Sequence, residues 1–241
     1  MIYSKKQTVY TSRSGANAKL SLIGAVQIIQ DNICEYFESL GIDEITMKTK
    51  YNTIWVFTRN SVQFDADLNW DEDFVASSAI TERSMAKLVV DTTLSKEGGT
   101  ICVKSRTDIC LVDLSQMRLK RIDGDFLSTD YKLDSPFFDM EFIRPSSTLQ
   151  AVKVGETTVP STSIDYCGHV NNVEYIRFLL NTYKADELKK TIKRFDINYL
   201  LQSLEGETLD IYKQSEETFD VFEIKHNDKV LTKCRIEFNQ T

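Results

Sequence analysis

The chain of 241 residues is 41% hydrophobic and 27% charged, carries a net charge of −7 and holds five cysteines. These proportions fit one large folded domain or two of ordinary size, and the negative charge argues against bulk attraction to nucleic acid or to an anionic membrane. The cysteines are odd in number, widely spaced and without a Cys-x-x-Cys pair, which argues against a disulfide frame or a zinc site, so no metal or cofactor is expected.

The opening residues, Met1-Ile2-Tyr3-Ser4-Lys5-Lys6, lack the apolar centre of a signal peptide, and no run reaches transmembrane length. A cytoplasmic protein without a membrane anchor is expected. Lys6 to Arg13 reads as a strand, and Ser14-Gly15-Ala16-Asn17 as a turn. Leu20, Ile23, Val26, Ile29, Ile33, Tyr36, Phe37 and Leu40 then recur at helical spacing until Gly41 ends the helix. That helix is apolar around much of its circumference, as expected of one wrapped by a curved sheet. Strand-like runs follow at 52–59, 74–80, 87–94, 100–103 and 107–113, and Gly98-Gly99 signals a hairpin.

From Arg121 to Ser147 the pattern fades into turn material: Asp123-Gly124-Asp125, Asp134-Ser135-Pro136 and Arg144-Pro145-Ser146-Ser147. This stretch is the expected linker. The second half repeats the order of the first, with a strand at Leu149–Thr158 and a helix from Val170 to about Tyr183. Strands follow at 194–201, 208–213, 218–225 and 230–238. Strand, helix and strands, twice over, predict a tandem duplication folded on itself as a pseudo-dimer.

The chemistry-bearing stretch is Ile164-Asp165-Tyr166-Cys167-Gly168-His169-Val170-Asn171-Asn172. It gathers an acid, a thiol, an imidazole and two carboxamides just before Val173, Ile176, Leu179 and Leu180 start a helical pattern. A helix entrance offers unpaired N–H groups and a partial positive charge, which suit a developing oxyanion. Gly168 lets the turn come close, and Asn171 and Asn172 suit helix capping. A thiol beside an imidazole and a helix end can also ionise, so Cys167 is weighed as a nucleophile.

The string Asp165-x-Cys167-x-His169-Val170-Asn171-Asn172 resembles the Asp-x-Asn-x-His-Val-Asn-Asn signature of acyl-carrier-protein thioesterases, with Cys167 in place of Asn. Weaker collinear similarities lie at Asn52-Thr53-Ile54-Trp55-Val56, at Trp70-Asp71-Glu72-Asp73-Phe74-Val75 and at Leu111 to Ile122. The resemblance covers nearly the whole chain. It implies an α+β double hot-dog, each half a long helix wrapped by a curved antiparallel sheet. Residues 1–130 would form the first hot-dog, 131–147 the linker and 148–241 the second. The implied reaction is hydrolysis of fatty acyl-carrier-protein thioesters, which ends fatty-acid elongation.

The family's Asp and His carry over to Asp165 and His169. Its Asn position holds Cys167, and its Glu position aligns with Gln202, or with Glu205 if the gap slips. Backbone groups at Gly168, Val170 and Asn171 would hold the oxyanion. Candidates for the acyl slot are Trp55, Phe57, Ile28, Ile29 and Ile33. Lys184, Lys189, Lys190, Lys193 and Arg194 are the densest basic run, and the last four are candidates for docking an acidic carrier protein. The oligomeric expectation is a monomeric pseudo-dimer or a homodimer. Two other functions stay open at this point: a coenzyme A thioesterase, and an acyl-thioester binder that does not hydrolyse.

Overall fold

A computed structural model describes residues 1–123, 131–133, 135–146 and 150–239. Gly124, Asp125, Asp134, Ser147 and Leu149, where turns and a strand start were expected, lie outside those residues. The first half runs β1 (Tyr3–Thr8), α1 (Leu22–Ser39), α2 (Glu44–Tyr51), β2 (Thr53–Phe64), β3 (Asp73–Arg83), β4 (Leu88–Lys96), β5 (Ile101–Asp113) and β6 (Arg118–Lys120). The second half runs β7 (Val152–Thr158), α3 (Asn172–Leu180), β8 (Ile192–Tyr199), β9 (Thr208–Ser215), β10 (Phe219–His226) and β11 (Lys229–Phe238).

All these strands join one antiparallel sheet, in the order β1-β3-β4-β5-β2-β8-β11-β10-β9-β7, with β6 added on β5. The order reads the same from both ends: each half is one five-strand hot-dog sheet. The halves meet where β2 pairs with β8, Asn60 opposite Ile197 and Ser61 opposite Asp196. The Ser61 hydroxyl donates to the buried Asp196 carboxylate at 2.5 Å across this junction.

The sheet wraps α1, which packs on β3 and β4, and α3, which packs on β10; the two helices touch each other. Ser21 caps α1 by accepting the Gly24 N–H at 3.0 Å, and Ile28, Ile29, Ile33 and Tyr36 bury at least 99% of their surface. Truncating such a side chain to alanine costs about 2–5 kcal/mol. Gly24 is needed for closeness, since a Cβ there would sit 2.3 Å from the Arg13 carbonyl oxygen. No helix among the described residues is long and apolar enough to cross a membrane.

Three elements depart from the sequence expectation. The first strand lies earlier than expected, at Tyr3–Thr8, and Thr11–Arg13 is a 3-10 turn. The runs 100–103 and 107–113 are one strand, β5. Helix α2 was read as no element, because only Met47 on it is buried and apolar periodicity is therefore absent.

The expected linker is not loose where it is described. Residues 135–146 form a strap without helix or strand, clamped by two buried acid–arginine pairs. In the first half Asp91 binds Arg106 at 2.8 and 2.9 Å and accepts the Phe137 N–H at 3.2 Å. Arg106 also donates to the carbonyls of Phe138 and Met140. In the second half Asp196 binds Arg194 at 2.8 and 3.0 Å and accepts the Ile143 N–H, while Arg194 donates to the Glu141 carbonyl. Phe138 and Met140 are buried beneath.

Candidate active site

The loop before α3 is built by its own backbone. The Asp165 N–H donates to the His169 carbonyl at 2.9 Å, Gly168 N–H to Asp165 at 2.9 Å, and Asn171 N–H to Ser163 at 3.0 Å. The Val170 N–H is tied across to Ser203 at 3.1 Å. Gly168 adopts φ +84°, which glycine takes without strain. Asn171 caps α3, accepting the Val173 N–H at 3.0 Å.

These bonds correct one expectation. Gly168, Val170 and Asn171 were the expected oxyanion donors, but their N–H groups are consumed in closing the turn. Among the described residues, the N–H groups of Tyr166 and His169 are the ones in this loop that meet no acceptor.

Two carboxylates converge on Cys167. Its N–H donates to Asp165 Oδ1 at 2.8 Å, which fixes that carboxylate. Its thiol lies 3.9 Å from Oε1 of Glu44, the first residue of α2, 123 positions earlier in the chain. Burial, and then the charges of Glu44 and Asp165, push the thiol up to about 11. It is therefore held protonated at neutral pH, which removes the basis for Cys167 as a nucleophile. The His169 Nδ1 is buried with no hydrogen-bond partner among the described residues, so the ring has an open bonding position at the site.

Glu44 was missed from the sequence. Its Oε2 accepts the Trp55 N–H at 3.3 Å. Burial, reinforced by the charges of Asp165 and Asp43, pushes its carboxyl up to about 7 against the Trp55 N–H and Lys48. The weak signal for it was Asp43-Glu44 after the helix stop at Gly41: Asp43 caps α2 by accepting the Thr46 N–H at 3.0 Å. Nothing local linked that cap to a loop so far along the chain.

Gln202 is exposed and makes no side-chain hydrogen bond among the described residues, but its neighbour Ser203 holds the loop. The first half explains its placement, because the loop before α1 repeats the backbone–backbone bonds of the loop before α3. Gly15 N–H donates to Lys19 as Asp165 to His169, Ser21 N–H to Arg13 as Asn171 to Ser163, and Leu20 N–H to Leu68 as Val170 to Ser203. Gly15, Asn17 and Lys19 thus stand where Asp165, Cys167 and His169 stand, and Asp67 stands where Gln202 stands. Lys19 and Asp67 form an ion pair at 2.6 Å. The Gln202 position thus corresponds to that of Asp67, beside the residue that ties down the turn.

The remaining candidates divide. Trp55 adjoins the site through Glu44, with Phe57 half-buried farther along β2. Ile28, Ile29 and Ile33 are sealed in the core. A cavity of about 370 Å³ opens elsewhere, at the first-half loop between Gly15, Asn17 and Lys19 on one side and Leu180, Leu188 and Ile192 on the other. Lys190 lines that cavity, so the basic run sits by the first-half loop, away from Asp165. Lys189 pairs with Asp186 and Lys193 with Glu237, and Arg194 is spent on Asp196. The element that occupies the same place beside the Asp165 loop is α2, with exposed Lys48 and Lys50.

Family models for the N-terminal and C-terminal domains of acyl-ACP thioesterases match residues 1–129 and 146–240. A comparison with curated proteins gives no match. Among solved structures, an acyl-ACP thioesterase from Bacteroides thetaiotaomicron superposes with a TM-score of 0.90 at 19% identity, over 99% of this chain and 98% of that one. A 12:0-ACP thioesterase from Umbellularia californica superposes with a TM-score of 0.88 at 14% identity, over 100% of this chain and 98% of that one. Both share the double hot-dog arrangement described above.

Proposed function

The chain belongs to the acyl-ACP thioesterase family and hydrolyses the thioester of fatty acyl-acyl-carrier protein, and from that premise we propose that Asp165 and His169 carry the reaction. The observation that supports this most is the open Nδ1 of His169 in the same turn as a carboxylate already oriented by the Cys167 N–H. Asp165, through the oxygen not held by that N–H, attacks the thioester carbonyl. The carbon–sulfur bond breaks, the pantetheine thiolate leaves, and the acyl group stays on Asp165 as a mixed anhydride. His169 and the open N–H groups of the turn stabilise the oxyanion that forms on the way. Water then cleaves the anhydride, freeing the fatty acid and restoring Asp165.

The acyl chain enters along Trp55 and Phe57. The carrier, acidic by its nature, docks at Lys48 and Lys50 rather than at Lys189 and Lys190. Residues 1–130 and 148–241 act as the two hot-dogs and 131–147 as their connection. The reaction belongs to fatty-acid biosynthesis in the cytoplasm, in keeping with five free cysteines.

Turnover is read as free thiol released from acyl-carrier protein and from acyl-coenzyme A. Asp165→Ala and His169→Ala should each lower kcat by at least about 10²–10³-fold, the usual loss for one oriented group. Lys48→Glu with Lys50→Glu should raise KM on the carrier protein far more than on coenzyme A, and added salt should mimic it, since exposed charges are screened within about 8–10 Å. Near-wild-type turnover in both loop variants would refute the site. Equal KM changes on the two carriers would refute the docking face. Higher kcat/KM on coenzyme A would favour that carrier, and binding without thiol release a non-hydrolysing binder.

A further inference from the structure

Hydrolysis of an acylated Asp165 needs a base for the incoming water, and the position where the family carries Glu holds Gln202, whose amide cannot take a proton. The second-half loop offers no replacement: Asp165 is itself acylated at that stage. Glu205 and Glu207 lie on the turn that supports the loop from outside, where Glu207 accepts the Leu204 N–H at 2.9 Å. Glu174 of α3 is held by the Ser163 hydroxyl at 3.2 Å and by Arg177 at 3.1 Å, and the carboxylate that reaches Cys167 beside Asp165 comes from the other half of the molecule. Glu44 and Asp165 both contact Cys167, one 3.9 Å from its sulfur and the other 2.8 Å from its nitrogen, and are close enough for each charge to bear on the other.

We propose that Glu44 is the second carboxylate of this site and takes the proton of the water that cleaves the acylated Asp165. The proposal rests on the reading of Asp165 as the acyl acceptor. The cycle closes in protons. Asp165 takes the acyl group as the pantetheine thiolate leaves, and the thiolate picks up its proton afterwards, from Glu44 or from solvent, so acylation itself does not depend on Glu44. The Glu44 carboxylate then removes a proton from water as the hydroxyl oxygen bonds to the acyl carbon and Asp165 leaves. No oxidant or cofactor is required, and the net change is thioester plus water to acid plus thiol.

The surroundings suit a group that must both give and take a proton near neutrality. Facing Glu44 are Asp43 and Lys48 from its own helix end, Asp165, Tyr166 and Cys167 from the loop, Cys34 from α1 and the Trp55 N–H from β2. Burial and the adjacent carboxylates favour its neutral form; Lys48 and the Trp55 N–H favour the charged one. Position in α2 adds firmness, since Asp43 caps the helix with its second oxygen on the Thr46 hydroxyl at 2.5 Å.

Glu44→Gln is the informative variant, because a carboxamide oxygen can still accept the Trp55 N–H. A merely structural Glu44 would tolerate it. The expected result on palmitoyl-acyl-carrier protein is a fall in kcat of about 10²-fold or more, with KM changed less than threefold. A first-turnover burst of thiol should appear, and hydroxylamine-sensitive acyl-protein should accumulate, seen by intact mass and mapped to Asp165. An acid limb in the wild-type kcat profile is expected because deacylation needs the Glu44 carboxylate, and it should be absent from the residual activity. Lys48→Gln, which removes a nearby positive charge, should move that limb to higher pH, separately from any rise in KM through carrier docking. Wild-type kcat and an unchanged pH profile in Glu44→Gln would overturn the proposal, while Asp165→Asn still inactive would leave the reading of the loop standing. Loss of kcat with loss of the acid limb but no acyl-protein would keep Glu44 as the base and overturn Asp165 as the acyl acceptor.

Discussion

Glu44 couples chemistry to stability. In an unfolded chain its carboxyl has an ordinary value of 4.5, and in the fold it is pushed up to about 7, mainly by burial. A carboxyl raised on folding stabilises the native state while protonated. That contribution is complete below about pH 4.5 and is lost as pH rises through about 7. Above that point the fold holds a partly buried, poorly solvated charge. Glu44→Gln should therefore raise the melting temperature at pH 8.5 by the equivalent of about 1–2 kcal/mol, after allowance for residual solvent screening. The gain should shrink toward pH 5. An equal gain at both pH values would mean that the charge is not its source. At this scale the sequence drew attention to Asp165 and His169, because both lie in one short run with a recognisable pattern. It gave no sign of Glu44 beside this run, because its contact with Cys167 joins α2 to a loop in the other half. It also suggested Gly168, Val170 and Asn171 as oxyanion donors, since position at a helix entrance does not tell which N–H groups the turn itself consumes.

Among the elements, α1, α3 and most strands follow from apolar periodicity, which direct burial enforces. Helix α2 and the strap do not: beside their polar contacts they bury only Met47 in one and Phe138 and Met140 in the other, too few side chains to leave a period in the sequence. The strap at 135–146 looks like a linker by composition, with Pro136 and Pro145 and no alternation. It is nonetheless fixed at two points by Asp91–Arg106 and Asp196–Arg194, whose carboxylates are fully buried. Removing one partner of such a pair leaves an uncompensated buried charge and typically costs about 3–5 kcal/mol. Limited proteolysis of the native protein should spare 135–146 and cut sooner at the exposed Gly98-Gly99 tip. Arg194→Ala should open the strap, bringing cleavage near Ile143 forward and lowering the melting temperature. Early cutting within 135–146 in the wild type would contradict the clamps.

At the level of the molecule, the duplication was legible as element order, yet no matching residues betrayed it. The two loops explain the discrepancy: what they share is a hydrogen-bond pattern carried by backbone atoms, which tolerates Gly15 against Asp165 and Lys19 against His169. The β2–β8 junction makes the halves one continuous sheet, so they should unfold together. Both tryptophans, Trp55 and Trp70, lie in the first half. Tryptophan fluorescence therefore follows that half, and far-ultraviolet circular dichroism follows the whole. Coincident urea midpoints are expected for a single cooperative unit. Separated midpoints would show that the junction does not couple the halves.

The junction has one more consequence. A loop that works against the opposite half would, in a pair of separate subunits, exist only while the subunits stayed together, and dilution would empty the solution of working sites. In a single polypeptide the opposite half is never farther away than the connecting segment allows. Even a short flexible tether supplies a local concentration of about millimolar, and here the described strap at 135–146 is held by both halves. The facing of Asp165 and Cys167 toward Glu44 is thus an intramolecular property of the chain, as available to a lone molecule as to a crowded one.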